Sequence, residues 1–407
     1  MATVKKFKPL LIACAMSALS MAAHAQVSND VVKIGVMSDM TGPYAGEVGP
    51  GLLTGARMAV EDFGGKVLGK PIEVVVADDQ NKPDVGTGIA RKWIESDKVD
   101  AIVGGSNSAI ALGIANLMKQ NNKPYFITGS QSADLTGKSC SPMTFQFVSD
   151  TYSLTKASIQ ALMAQGAKTF YFITVDYAYG AAMQTAATRF VEAAGGKVAG
   201  SVRHPLGTTD FSQYLLQAQA SKANAVVMLN SGLDLINAMK QAGEYRLAKS
   251  GQTLGVTSMS FNGVVGMGLE VGQGVVFGSP WAWNINNESK TWSERFMERS
   301  RGSAPGANHA GAYSATMHYL KAVAAAGTDE GVAVAAKVRS TPINDFQFKN
   351  VSIREDGQVM RPMQVMQVKT PAESKYKLDY IHFKGEMPAD QVWRPLAEGG
   401  CDLVKAK

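Results

Sequence analysis

Cysteine is scarce: the 407 residues hold three, Cys14, Cys140 and Cys401, and no two form a C-x-x-C pair. The five histidines, His24, His204, His309, His318 and His382, are scattered and no H-E-x-x-H occurs. Ligands at fixed close spacing are what a zinc site needs, so no metal and no cofactor is expected. A G-x-S-x-G elbow is missing, which removes the usual serine-hydrolase turn. The run Gly104-Gly105-Ser106-Asn107-Ser108 is not the G-x-G-x-x-G of a dinucleotide site. Basic clusters with interleaved aromatics are absent too, so nucleic acid is not an expected partner. Beyond the N-terminus no segment approaches the ~20 apolar residues of a membrane span.

What is present begins with Lys5, Lys6 and Lys8, an apolar run from Pro9 to Ala23, and Ala23-His24-Ala25 before Gln26. A charged start, a short apolar stretch and an A-x-A site describe a signal peptide over 1–25 and a periplasmic destination. Leu11-Ile12-Ala13-Cys14 loosely matches a lipobox and leaves a lipid anchor as the alternative. The formal charge of +6 includes those three lysines and no acid from the leader, leaving +3, a value that says little about partners. Without Cys14, Cys140 and Cys401 remain, an even number in an oxidising compartment, and a disulfide between them is expected.

From Val31 onward, short β-branched runs alternate with turns and helix-period segments. Val31 to Ser38, Ile72 to Ala77, Ala101 to Val103 and Tyr125 to Thr128 read as one set of strands. Thr169 to Val175, Val198 to Val202, Ala225 to Leu229 and Leu254 to Thr257 read as a second. Such alternation predicts α/β architecture with two doubly wound parallel sheets, and the length exceeds a single core. The expected partition is a first lobe over 31–147 plus 280–346, a second over 148–279 plus 347–368 with a hairpin at about 346–368, and an aperiodic tail over 369–407.

Two loops look built for an anion. Gly104 to Ser108 and Gly129-Ser130-Gln131-Ser132 each follow a strand, supply hydroxyls and open toward a helix or turn, so backbone N–H groups and a helix dipole could meet a carboxylate. Each alone also fits a plain turn and N-cap. Strand C-terminal ends are where a doubly wound sheet binds its ligand, which favours the first reading for the pair. Ser153 and Lys156 match S-x-x-K, the one trace of a nucleophile, without its S-D-N and K-T-G companions. Asp78-Asp79 closes a strand, where acids commonly end an element.

The runs VKIGVMSDMTGP from Val32, TGARMAVED from Thr54, GKPI from Gly69 with ADDQ from Ala77, and DYAYG from Asp176 resemble the branched-chain amino acid binding protein family. These are type I periplasmic binding proteins of ABC importers, and the similarity runs in order through nearly the whole chain. It implies a monomeric two-lobed clamp joined by a multi-strand hinge, with a small-molecule ligand and a membrane permease as partners. By the resemblance Ser108 holds the ligand carboxylate, with Asn107 beside it. Ser130, Gln131 and Ser132 lie on the loop that completes the grip. Tyr179 closes from the second lobe, Tyr44 forms a wall, and Ser231 stands where an aromatic is usual. Trp283 is a further candidate for stacking on a ring. Amino-acid binders of the family carry an acid near the turn that here reads GVTSMSFN from Gly255, and none is present. The chain is therefore similar to the aromatic-acid-binding subgroup, and an aromatic carboxylate is the expected ligand. A branched-chain or other amino acid is the alternative, and a secreted serine hydrolase the more distant one.

Overall fold

The computed structural model describes Ala2 and residues 27–404, so the expected leader, Ala2 apart, lies outside the described residues. Among them no helix is long and apolar enough to cross a membrane. The strands β1 (Val32–Ser38), β2 (Lys66–Val67), β3 (Lys70–Asp78), β4 (Ala101–Gly104), β5 (Tyr125–Ile127) and β6 (Thr144–Gln146) form a sheet in the order β2-β3-β1-β4-β5-β6. Its pairings are parallel apart from the β2–β3 hairpin. A second, wholly parallel sheet has the order β10-β9-β7-β8, from β7 (Thr169–Val175), β8 (Lys197–His204), β9 (Ala225–Leu229) and β10 (Thr253–Val256). The inner strands β4, β5 and β9 are buried at every residue, because helices cover both faces of a parallel sheet. Their continuous apolar runs follow from that burial.

The direction of winding reverses between β1 and β4 in the first sheet and between β7 and β9 in the second. At such a switch point the loops leaving the strand C-termini diverge and open a crevice. The two sets of loops meet: the Leu233 N–H, after β9, donates to the Pro43 carbonyl, after β1, at 3.1 Å.

A third sheet is antiparallel and consists of β11 (Val276–Ser279), β12 (Met363–Val368) and β13 (Ile381–Met387). This corrects the expected hairpin at 346–368 and the expected aperiodic tail. Residues 343–359 form only isolated bridges, Ile343 to Val351, Ile353 to Val359 and Gln358 to Gln146, and the strand that follows β12 in the sheet lies inside the tail. As an edge strand, β13 leaves most of its residues at least partly exposed, and its sequence IHFKGEM carries little hydrophobic period to read. Phe126 centres the first core, stacked on Phe145 at 5.3 Å and edge-on to Tyr319 at 5.6 Å. Cys140 and Cys401 are joined, with Cα atoms 5.6 Å apart.

Candidate binding cleft

Between the loops of the two sheets lies a narrow cleft whose walls include Tyr44, Ser108, Ser130 and Tyr179. On the first-sheet side β4 ends in Gly104 and Gly105, with φ of 121° and 85°. Only glycine fits there: an added Cβ would fall 2.0 Å from the Met37 carbonyl oxygen at 104 and 2.2 Å from the Tyr125 hydroxyl at 105. The chain then turns into the helix Ser108–Gln120, whose N-cap is Asn107, its Oδ1 accepting the Ile110 N–H at 3.0 Å. The first N–H groups of a helix have no partner inside it, so the Ser108 end faces the cleft with free donors and the positive end of the dipole. Among the described residues nothing hydrogen-bonds the Ser108 hydroxyl. Asn107→Ala is expected to cost about 1 kcal/mol of stability, a lost cap, and urea unfolding measures it.

Gly129, Ser130 and Gln131, after β5, line the neighbouring wall. Their loop is pinned by the Thr151 N–H donating to the Gln131 carbonyl at 2.7 Å. From the second sheet Tyr177 and Tyr179 enter, at and just beyond the N-cap of the helix Ala178–Ala193, with rings stacked at 5.7 Å. The Tyr44 and Tyr177 hydroxyls meet at 2.7 Å, and the Tyr179 and Ser258 hydroxyls donate to Gln131 Oε1 at 3.0 and 2.9 Å. Burial pushes all three phenols up, so they stay neutral donors. Among the residues lining the cleft there is no lysine, arginine or histidine.

Of the residues singled out in the sequence, Tyr44, Asn107, Ser108, Ser130, Gln131, Tyr179 and Ser231 are brought together here. Ser132 is buried behind them, its N–H directed at Ser130 Oγ at 3.4 Å. Trp283 is elsewhere, and its proposed stacking on a ligand ring is corrected. Its indole is buried 6.1 Å from the ring of Phe261, and its carbonyl accepts the Ser293 hydroxyl. Turning that large apolar surface into the core outweighs presenting it to a polar cleft.

Sequence reasoning missed Val48, Tyr177, Asn308 and, with most consequence, Glu47. The expectation that no carboxylate could face an ammonium considered the turn after β10. The acid instead comes from the loop after β1, and its Oε2 accepts the Ser260 hydroxyl at 2.6 Å across the cleft. Glu47 keeps some accessible surface, yet the atoms around its carboxyl desolvate it and raise its pKa, against the Ser260 hydrogen bond. A visible signal existed, since β1 flanks the switch point and acids on its loop are candidates.

The remaining chemical candidates are structural. Asp39 accepts the Gly42 and Tyr44 N–H groups, Asp78 those of Met40 and Gln80, and Asp79 that of Asn81 and the Ser106 hydroxyl. Although these three carboxylates cluster within 4.8 Å, they lock the turns that shape the cleft. Ser153 is fully buried, with Oγ accepting the Asp150 N–H and donating to its carbonyl, while Lys156 lies over the Tyr152 ring. Ser153 thus completes a capping box with Asp150 at the start of its helix.

A sequence profile of the family described as periplasmic binding protein matches residues 31–375. A periplasmic binding protein from Burkholderia mallei is 41% identical and superposes with a TM-score of 0.89, the match covering 92% of this chain and 100% of that one. The Leu/Ile/Val-binding protein homolog 6 of Brucella melitensis is 27% identical over 239 residues, 58% of this chain. That match spans 60% of the relative's own length. A solute-binding protein of an ABC transporter from Rhodopseudomonas palustris BisB5, in complex with 3,4-dihydroxybenzoic acid, shares the fold. It is 23% identical with a TM-score of 0.79, over 88% of this chain and 98% of that one.

Proposed function

This chain belongs to the periplasmic binding protein family, and from that premise we propose that it is the solute receptor of an ABC importer, capturing a small aromatic carboxylate and delivering it to a membrane permease without turnover. A leader over 1–25 carries it to the periplasm, where it works as a monomer. Two lobes, 31–147 with 280–346 and 148–279 with 347–368, close on the ligand, and 381–387 adds the edge strand of the third sheet.

The observation that carries this reading is a helix N-terminus, with the Ser108 and Ser130 hydroxyls, in a cleft lined by three tyrosines and no cationic side chain. Neutral donors and a dipole satisfy a carboxylate by charge-assisted hydrogen bonds. The tyrosines offer flat faces to a ring, worth roughly 0.5–1.5 kcal/mol per aromatic pair beyond burial.

Glu47 favours a second reading, an amino acid whose ammonium it would pair. Titration calorimetry in one buffer separates the two. The first expects micromolar or tighter binding of benzoate- or cinnamate-type acids and no heat from leucine, isoleucine, valine or phenylalanine. The reverse pattern hands the cleft to the amino acid.

A further inference from the structure

Resting on the carboxylate reading, we propose that Glu47 selects ligands that carry, besides the carboxylate, a second hydrogen-bond donor: a hydroxyl or amine that gives its proton to the Glu47 carboxyl. The ligand class narrows to hydroxy- or amino-substituted small acids.

Glu47 is the one ionisable acid among the cleft-lining residues. Its loop is held in place, because the Glu47 N–H donates to the Tyr44 carbonyl at 2.9 Å and Asn308 Nδ2 donates to the Glu47 carbonyl at 3.4 Å. Ser260 turns the side chain toward the loop after β10, whereas Ser108 and Ser130 lie at the strand ends of the first sheet. An anion held by the serines therefore leaves the Glu47 carboxyl for a different part of the ligand. Oε1 receives no hydrogen bond from any described residue and lies against Gly263, where an added Cβ would come within 3.0 Å of it.

A carboxyl with one oxygen unmet costs more once a ligand displaces the water around it. An unsubstituted ring would seal Glu47 against carbon and hydrogen. A hydroxyl or amine relieves that cost, and a charge-assisted hydrogen bond of ordinary strength corresponds to about 10- to 100-fold in affinity.

The test titrates the wild-type protein, Glu47→Gln and Ser260→Ala with benzoate, 3- and 4-hydroxybenzoate, 4-aminobenzoate, cinnamate, 4-hydroxycinnamate and leucine. Wild type should prefer at least one donor-bearing acid over its unsubstituted parent by about 10- to 100-fold. Glu47→Gln should cut that preference to about threefold or less. Ser260→Ala, which removes the internal donor and leaves the acid in place, should keep or widen the preference. Leucine binding that vanishes in Glu47→Gln supports the same role with an amine as donor. Parents binding as tightly as their hydroxyl derivatives, or a preference undiminished in Glu47→Gln, overturns the proposal and leaves the carboxylate reading intact. No binding of any acid in the panel by a folded protein sinks the carboxylate reading instead.

Discussion

Replacing both cysteines, Cys140→Ser with Cys401→Ser, is expected to lower unfolding stability by about 4–5 kcal/mol, the upper range for a disulfide closing so long a loop. The two residues are 261 positions apart, so the bond removes a large share of the unfolded chain's freedom. Urea unfolding of oxidised and double-variant protein gives the difference. The bond also secures a segment with few other anchors on the first sheet. Arg394 Nη2 donates to the Ala133 carbonyl at 2.9 Å, and Gly137 packs so closely on Gly399 that an added Cβ would sit 2.7 Å from the Gly399 carbonyl oxygen. Upstream, Val392 and Trp393 bury against Leu154, Ala157 and Met363. Residue 133 continues directly from the cleft loop of Gly129 to Ser132. Loss of the bond should therefore speed amide exchange through 129–136 more than in the second sheet. Two reactive thiols in the native oxidised protein, or a stability change below about 1 kcal/mol, would contradict this account.

The parts of the fold that were legible in the sequence are those whose burial is uniform. A strand covered on both faces, such as AVVML of β9, has only apolar choices and announces itself. The edge strand β13 faces solvent along most of its length, so sequence pattern and structure part company there. The cleft divides in the same way. Ser108 and Ser130 were legible because a strand, a glycine turn and a hydroxyl at a helix or turn start form one local unit. Glu47 meets Ser260, 213 residues away in the chain, and that pairing has no local signature. Tyr177 was passed over for its neighbour Tyr179, though both flank one turn; its extended backbone, φ −159°, sits where its hydroxyl meets that of Tyr44. Trp283 shows the opposite failure, an aromatic judged by its chemistry without knowledge of which way the chain turns after β11.

Ser108→Asp is expected to abolish binding of a carboxylate ligand. Position 108 is the first residue of its helix and is buried, so the favourable dipole interaction of a negative side chain, about 0.3–1 kcal/mol at an exposed site, works against the cost of desolvating it. Thermal melting supplies the control that separates lost binding from lost folding. A ligand carboxylate held at this helix end would lie about 4 Å from the new one, and at an effective dielectric constant near 20 two such charges repel by about 4 kcal/mol. That corresponds to about a thousandfold in affinity. Ser108→Ala provides the graded comparison: it deletes one charge-assisted hydrogen bond, worth about 1.5–3 kcal/mol, and leaves the backbone donors in place, so affinity should fall by about 10- to 100-fold. Calorimetry with 4-hydroxybenzoate, or with whichever panel acid binds the wild type, gives both values. The order wild type, alanine, aspartate follows from electrostatics at one atom position and does not depend on whether the ligand carries a ring or an ammonium. Binding by the Ser108→Asp variant at wild-type strength would mean that the anion is not held at this helix, and the cleft would then have to be read from its tyrosine side.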